Sequence, residues 1–83
     1  MLASVSKMTA SAVKSLRDHS LLDEVPKTEI AKKTGVDRNT VAHRFRAGDM
    51  PLSAFIGTSL AIGLDPSKII ADAMHQTEQE QQP

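Results

Sequence analysis

Two short helical patterns separated by a glycine turn occupy the middle of the chain, in the segment KTEIAKKTGVDRNTVAHRF. Ile30 is a central apolar position of the first pattern, and Val41 and Phe45, four residues apart, are those of the second. Gly35 ends the first helix, because a helix C-terminus often requires a left-handed conformation that glycine adopts at little cost. Two such helices cross at roughly 90 to 120° and leave the outer face of the second one exposed.

Proline and aspartate mark the starts of the helices. Pro26 suits the first turn of a helix, because proline at that position removes no hydrogen bond that the helix would make. Asp37 is placed to cap the helix that follows Gly35, and Asp65 with Pro66 is a second start signal. No stretch alternates convincingly with a period of two. The sequence therefore predicts an all-α fold without strands, with five helices over residues 5–19, 26–34, 38–46, 52–62 and 66 to 74 or 75.

The core has to be built almost without aromatic residues, since Phe45 and Phe55 are the only two in the chain. Aliphatic residues and methionines must fill it, which suits short packed helices better than a sheet. We expect the inward positions of the first helix to be Val5, Met8, Ala12, Val13 and Leu16, and those of the fourth to be Leu52, Phe55, Ile56, Leu60 and Ile62. Residues 1–75 then form a single helix-turn-helix domain. Residues 76–83 have no apolar side chain, and we expect a disordered polar tail there.

The chain lacks the residues that several classes of function require. The chain has no cysteine, and its three histidines, His19, His43 and His75, are too scattered to form a ligand cluster, so we expect no metal. It has no Gly-rich phosphate loop and no nucleophile with a base at plausible spacing. We therefore expect no enzyme, no cofactor and no small-molecule ligand. The absence of a long apolar run favours a cytoplasmic protein without a membrane partner.

Charges are distributed unevenly along the chain, although ten lysines and arginines balance ten aspartates and glutamates. Residues 27–46 hold six basic side chains against two acidic ones, a local net charge of +4 that leaves −4 for the rest. A phosphate backbone is attracted by a local basic face rather than by the total charge. The distribution thus favours nucleic acid as a partner of this segment.

The order of these residues resembles the phage repressor and Cro family, also called XRE-type helix-turn-helix proteins. The resemblance covers roughly residues 8–75 and depends on several spaced matches. The matching residues are Ile30-Ala31, Gly35-Val36, Arg38, Thr40-Val41, Gly48, Pro51 and the run from Leu60 to Pro66. The resemblance implies a five-helix lambda-repressor-like domain, usually a homodimer, that binds double-stranded DNA at a two-fold operator. Its implied function is transcription regulation as a repressor or Cro-like protein of a phage or prophage.

The resemblance also assigns roles to individual residues. The first turns of the third helix would lie in the major groove, where arginine can pair with guanine, asparagine with adenine, and a small apolar side chain with the thymine methyl group. On this basis the base-reading residues are Arg38, Asn39, Thr40, Ala42 and His43. The residues placed against backbone phosphates are Lys27 and Thr28 at the start of the second helix, and Arg44 and Arg46 on the third, with Arg44 pointing outward.

The predicted homodimer would pair through the fifth helix and the exposed part of the fourth. The fifth helix has more apolar residues than a short terminal helix can bury alone, namely Ile69, Ile70, Ala73 and Met74. Unless some of these pack on the first helix, they would face a second subunit. The two recognition helices would then lie about 34 Å apart.

Other interpretations of the same residues stay open at this point. A protein of this fold could bind another protein instead, as an antirepressor or antitoxin does, and the net charge of zero keeps that hypothesis open. A recombination accessory protein such as an excisionase would also bind DNA. Asn39 could cap its helix, and His43 could simply be exposed. Lys32 and Lys33 could form a solvated helix face.

Overall fold

Five helices make up the described part of the chain, residues 2–81, in a computed structural model. They are α1 (Leu2–Leu22), α2 (Lys27–Thr34), α3 (Arg38–Ala47), α4 (Leu52–Ile62) and α5 (Pro66–Gln81). No strand occurs among these residues, and the predicted all-α class is confirmed. The bounds of α2, α3 and α4 agree with the predicted bounds to within one residue.

Aspartate side chains start two of the helices, as the sequence predicts. Asp37 is the N-cap of α3, where its carboxylate accepts a hydrogen bond of 2.7 Å from the Thr40 backbone N–H. Before α5, the Asp65 carboxylate accepts a hydrogen bond of 2.9 Å from the Ser67 backbone N–H. Each bond satisfies an N–H group that has no partner inside its own helix.

Backbone hydrogen bonds close the turn between α2 and α3. Gly35 follows α2 in the predicted left-handed conformation, with φ of 72°. The backbone N–H groups of Gly35 and Val36 both donate to the carbonyl of Ala31. Because α2 ends so abruptly, α3 can cross it at once, and α2 packs against both α3 and α4.

The core lies between the five helices and is aliphatic apart from the two phenylalanines, which are both buried as expected. The Ser59 hydroxyl is buried but donates a hydrogen bond of 2.8 Å to the Phe55 carbonyl. Among the described side chains, no buried nitrogen or oxygen lacks a partner. The clustered core residues are Ala12, Val13, Leu16, Ile30, Ala31, Val41, Phe45, Phe55, Ile62, Ile69 and Ala73.

The inward face of α4 differs from the predicted one. Leu52, Ile56 and Leu60, expected in the core, are 66%, 40% and 64% exposed. Small side chains face inward instead, because α4 lies close to α2: a Cβ atom on Gly57 would come within 3.3 Å of the Thr34 Cγ2 atom. Besides Phe55 and Ile62, the buried residues of α4 are Ala54, Thr58 and Ser59.

The first and last helices are longer than predicted and pack extensively against each other. α5 continues to Gln81, so residues 76–81 are helical in the structure, where a disordered tail was expected, while residues 82 and 83 lie outside the described part. The polar end of α5 packs against the rest of the fold through Thr77, which is only 2% exposed. The Thr77 hydroxyl donates a hydrogen bond of 2.9 Å to the Ala73 carbonyl. A polar side chain whose hydrogen bond is satisfied within its own helix can be buried like an apolar one.

Two of the inward positions expected on α1 lie outside the core cluster, since Val5 is exposed and Met8 is half-buried. Met74 on α5 is exposed as well. Ile69 and Ala73 are the α5 residues that enter the core. Within residues 2–81 no single helix has the length and apolar composition of a membrane span; only α4 and α5 together, as a pair bent by 108°, reach them.

Candidate nucleic-acid interface

A row of three exposed side chains, spaced by four and three residues, runs along the outer face of α3. Val41 and Phe45 turn the opposite face of the helix into the core. Asn39, His43 and Arg46 therefore lie in one row on the solvent side, here called the α3 row. A row of this kind can contact a second molecule without any rearrangement of the core.

Arg38 and Asn39 occupy the first two positions of α3, and both side chains are exposed. The N-cap of the helix is Asp37, so the capping role considered for Asn39 belongs to another residue. In the described part of the chain, neither the Arg38 nor the Asn39 side chain is engaged in a hydrogen bond or an ion pair with another residue. Their hydrogen-bonding groups are thus available to a partner.

Thr40 takes part in the helix cap and is half-buried. Its backbone N–H and its hydroxyl both hydrogen-bond to the Asp37 carboxylate. These bonds, first the one from the backbone N–H and then the one from the hydroxyl, hold the pKa of Asp37 below its ordinary value. Among the predicted base-reading residues, Thr40 therefore has its polar atoms engaged by the protein itself, and Ala42 is half-buried as well.

The residues assigned to phosphates lie at the start of α2 and along α3. Thr28 is exposed and Lys27 half-buried in the first turn of α2, where the N-cap Pro26 provides no side-chain hydrogen bond. The Glu29 N–H donates to the Pro26 carbonyl, and the N–H groups of Lys27 and Thr28 can serve an anion. Arg46 is exposed, whereas Arg44 is half-buried and does not point fully outward as expected.

The lysines at the end of α2 fit the interpretation of a solvated face. The Lys33 ammonium lies 3.1 Å from the Glu29 carboxylate one turn earlier, in an exposed ion pair. Pairs of this type contribute little to stability and satisfy charge locally. Lys32 is exposed beside them.

The sequence-based assignment missed the alignment of Arg46 with the base-facing residues. It placed Arg46 among the backbone contacts, whereas the structure places it in the α3 row with Asn39 and His43. The signal was present in the spacing, because residues four and three apart share one face of a helix. Arg46 can therefore contact the same partner as Asn39 and His43.

No known protein family matches the chain, and no curated protein and no solved structure is significantly similar to it. Among the described residues no group of three or more histidine, cysteine, aspartate or glutamate residues is arranged to hold a metal ion.

Proposed function

We propose that this chain is a sequence-specific double-stranded DNA-binding regulator of transcription, a repressor or Cro-like protein with a lambda-repressor-like fold. The observation that carries the proposal is the exposed α3 row of Asn39, His43 and Arg46, with Arg38 exposed beside its start. A recognition helix has to present its first turns to solvent, because those turns contact base edges. Burial of the Asn39 side of α3 would have contradicted this function.

The dimensions of α3 suit a major groove. Its ten residues correspond to about 15 Å of helix, and the groove, roughly 12 Å wide, admits one helix. Arg38 can donate two parallel hydrogen bonds to guanine, and Asn39 can pair with adenine through its amide. His43 and Arg46, one and two turns further on, extend the contact along the groove.

Phosphate contacts would position this helix on the duplex. Lys27 and Thr28 stand where the positive end of the α2 dipole and the free N–H groups favour an anion. Arg44 and Arg46 add positive charge on α3, within the segment of local net charge +4. Each phosphate contact releases counterions, so binding should weaken steeply with salt.

The proposed biological unit is a homodimer on a two-fold operator, without catalytic activity, metal or cofactor. Two copies related by a two-fold axis present two recognition helices to half-sites about one helical turn apart. The half-sites would be inverted copies of one short sequence.

Selection of bound sequences from random duplex DNA tests the proposal. We expect enrichment of a two-fold sequence, and loss of that enrichment in Arg38→Glu. Lys68→Glu is the matched control, because Lys68 is an exposed basic residue on α5, outside the helix-turn-helix segment. No enriched sequence, binding insensitive to salt, or equal effects of the two substitutions would overturn the proposal.

One observation favours a second candidate, a protein-interaction module of the same fold such as an antirepressor or antitoxin. Leu52, Ile56 and Leu60 are exposed on a helix without any charged residue. Charge reversal at Arg38 and Arg44 separates the two functions. A DNA-binding regulator loses operator binding in these variants, whereas a protein-interaction module keeps its partner.

A further inference from the structure

The exposed side of α4 is apolar and free of charge. None of its eleven residues is charged. Leu52, Ile56 and Leu60 follow one another at intervals of four and form a raised row, here called the α4 ridge. Contiguous exposed apolar residues of this kind mark interaction sites in soluble proteins.

An apolar groove lies beside this ridge, between α1, the start of α4 and α5. It has a volume of about 380 Å³. Its walls include Val5 and Met8 of α1, Ile70 and Met74 of α5, and Leu52, which also belongs to the ridge. Methionine side chains are flexible, so this α1–α5 groove can adapt to an inserted apolar side chain.

We propose that a second copy of this chain covers both features, with the α4 ridge of each copy lying in the α1–α5 groove of the other. A two-fold axis close to Leu52 relates the two copies. A two-fold axis places each surface point of one copy opposite a point of the other copy. The two points lie at equal distances on opposite sides of the axis within their own surfaces. Leu52 belongs to both the ridge and the groove wall, so a two-fold axis close to it can place the ridge of each copy against the groove of the other. The inference rests on the homodimer of the proposed function and assigns its interface.

The size of the patch agrees with a dimer interface. Val5, Ile70 and Met74 are 59%, 36% and 44% exposed and join the ridge residues in one patch. From their exposed fractions, these six side chains present on the order of 500 Å² of apolar surface, close to the non-polar two thirds of the roughly 800 Å² that each partner buries in an interface of standard size.

The absence of charge favours a second copy over a partner of different chemistry. A charged partner would have to lose its hydration against α4 without any ionic contact in return. Two copies of the patch meet without like-charge repulsion and remove each other's apolar side chains from water. Packing of ridge on ridge alone would leave Val5, Ile70 and Met74 in solvent.

Analytical ultracentrifugation of the full chain tests the interface. We expect the wild type to sediment as a dimer, at twice the chain mass of 9.0 kDa. Leu60→Glu on the ridge and Met74→Glu on the groove wall should each weaken dimerisation by at least about tenfold. Leu22→Glu is the matched control, because Leu22 is 77% exposed and lies outside the patch. Circular dichroism of each variant shows that its helices are intact. A monomeric wild type, or dimers that persist in both patch variants, would overturn the proposal.

Mixing two variants tests the ridge-in-groove arrangement. Leu60→Lys and Met74→Glu chains should each be largely monomeric, and an equimolar mixture should form a heterodimer. In that heterodimer one contact pairs the new lysine with the new glutamate, and the other contact is wild type. If ridges packed on ridges, Met74 would lie outside the contact, so Met74→Glu alone would remain dimeric and the mixture would gain no lysine–glutamate contact. Failure of the mixture to dimerise thus overturns this arrangement.

Binding to duplex DNA that contains a single half-site separates this inference from the proposed function. Leu60→Glu should keep the half-site preference while losing cooperative binding to the two-fold site. A monomeric wild type with intact half-site preference overturns the interface and the homodimer and leaves DNA binding standing. A dimeric wild type without DNA preference overturns only the DNA-binding function and leaves the interface standing.

Discussion

The Asp37 carboxylate and the Thr40 backbone N–H are joined by a hydrogen bond of 2.7 Å across the first turn of α3. The two residues between them, Arg38 and Asn39, are the exposed side chains assigned to bases. The bond that starts the helix therefore also sets the position from which these side chains leave it. Local stability and the proposed recognition of bases therefore depend on the same contact.

Because of this cap, the stability of the folded state should depend on pH in the acid range. Hydrogen bonds from Thr40, above all from its backbone N–H, lower the pKa of Asp37 below its ordinary value of 3.8. A carboxyl whose pKa is lowered by folding stabilises the folded state above its unfolded pKa and loses this contribution as the pH falls through the folded value. The Tm of the wild type should therefore fall below about pH 4, as thermal unfolding followed by circular dichroism from pH 6 to pH 2 would show.

The comparison with Asp37→Asn isolates this residue from other carboxyls, since the pKa of Asp18 and that of Asp65 are lowered as well. Asparagine still caps a helix but does not titrate. The Tm difference between wild type and Asp37→Asn should be largest near neutral pH and shrink in acid. A difference that does not change with pH would contradict the role of the Asp37 carboxylate. Asp23→Asn controls for the removal of one negative charge.

Substitution of Gly35 tests the turn between α2 and α3. Its φ is 72°, and no atom lies within 4 Å of the position that a Cβ would take. Gly35→Ala therefore adds backbone strain without a clash, and we expect a loss of about 1 kcal/mol in the free energy of unfolding. Urea denaturation measures this loss. Gly35→Asn should cost less, because asparagine adopts the left-handed conformation more readily. Equal stability of alanine and glycine at this position would contradict the interpretation.

Local signals predict most of the helix bounds. Asp37, Gly35, Asp65 and Pro66 act on their own neighbours, so the bounds of α2 to α4 and the start of α5 could be read from the sequence. The sequence could not show which side of α4 is buried, because the helix is apolar on both sides. That choice depends on the close approach of Gly57 to Thr34, a contact between different helices. The helical continuation of α5 likewise depends on packing against a longer α1.

The candidate site could be predicted in part. Exposure of Asn39 and His43 follows from the burial of Val41 and Phe45 on the opposite face. Arg38 lies on the same side as Val41 and Phe45 by helical spacing, and it is exposed at the first position of the helix. The engagement of the Thr40 hydroxyl by Asp37 depends on side-chain geometry that the sequence pattern does not specify. The half-burial of Arg44 depends in the same way on its surroundings in the fold. Residue type and spacing indicate which face is exposed, but not which polar groups remain available to a partner.

The contact between α2 and α4 can be tested by coupled substitutions. Gly57→Ala adds helix propensity worth about 1 kcal/mol, but its methyl would lie 3.3 Å from the Thr34 Cγ2 atom. Thr34→Ser removes that methyl group and keeps the hydroxyl that donates to the Ile30 carbonyl at 2.7 Å. We expect Gly57→Ala to be more stabilising in the Thr34→Ser background, by roughly 0.5 to 1 kcal/mol. A double-mutant cycle in urea measures this coupling. Additive effects would show that the two helices are not in close contact there.

Two substitutions should separate base reading from phosphate binding. Arg38→Ala should weaken specific binding by about 1 to 3 kcal/mol and relax the preference at one base pair. Lys27→Ala should weaken binding evenly across sequences and reduce the slope of log K against log salt by about 1. Fluorescence anisotropy at several salt concentrations measures both quantities, with Lys68→Ala as the control. If Lys27→Ala changed sequence preference and Arg38→Ala did not, the assigned roles would be reversed.

Removal of residues 76–83 tests whether the end of α5 belongs to the folded domain. Thr77 is buried, and Ser11 of α1 donates a hydrogen bond of 3.4 Å to the Gln76 side chain. A chain that ends at His75 should therefore unfold with a free energy lower by on the order of 1 to 3 kcal/mol, because α1 loses its cover. Urea denaturation compares it with the full chain and with Glu78→Ala, an exposed control on the same segment. A disordered tail would contribute nothing, so equal stability of the shortened chain and the full chain would show that the segment is not packed on α1.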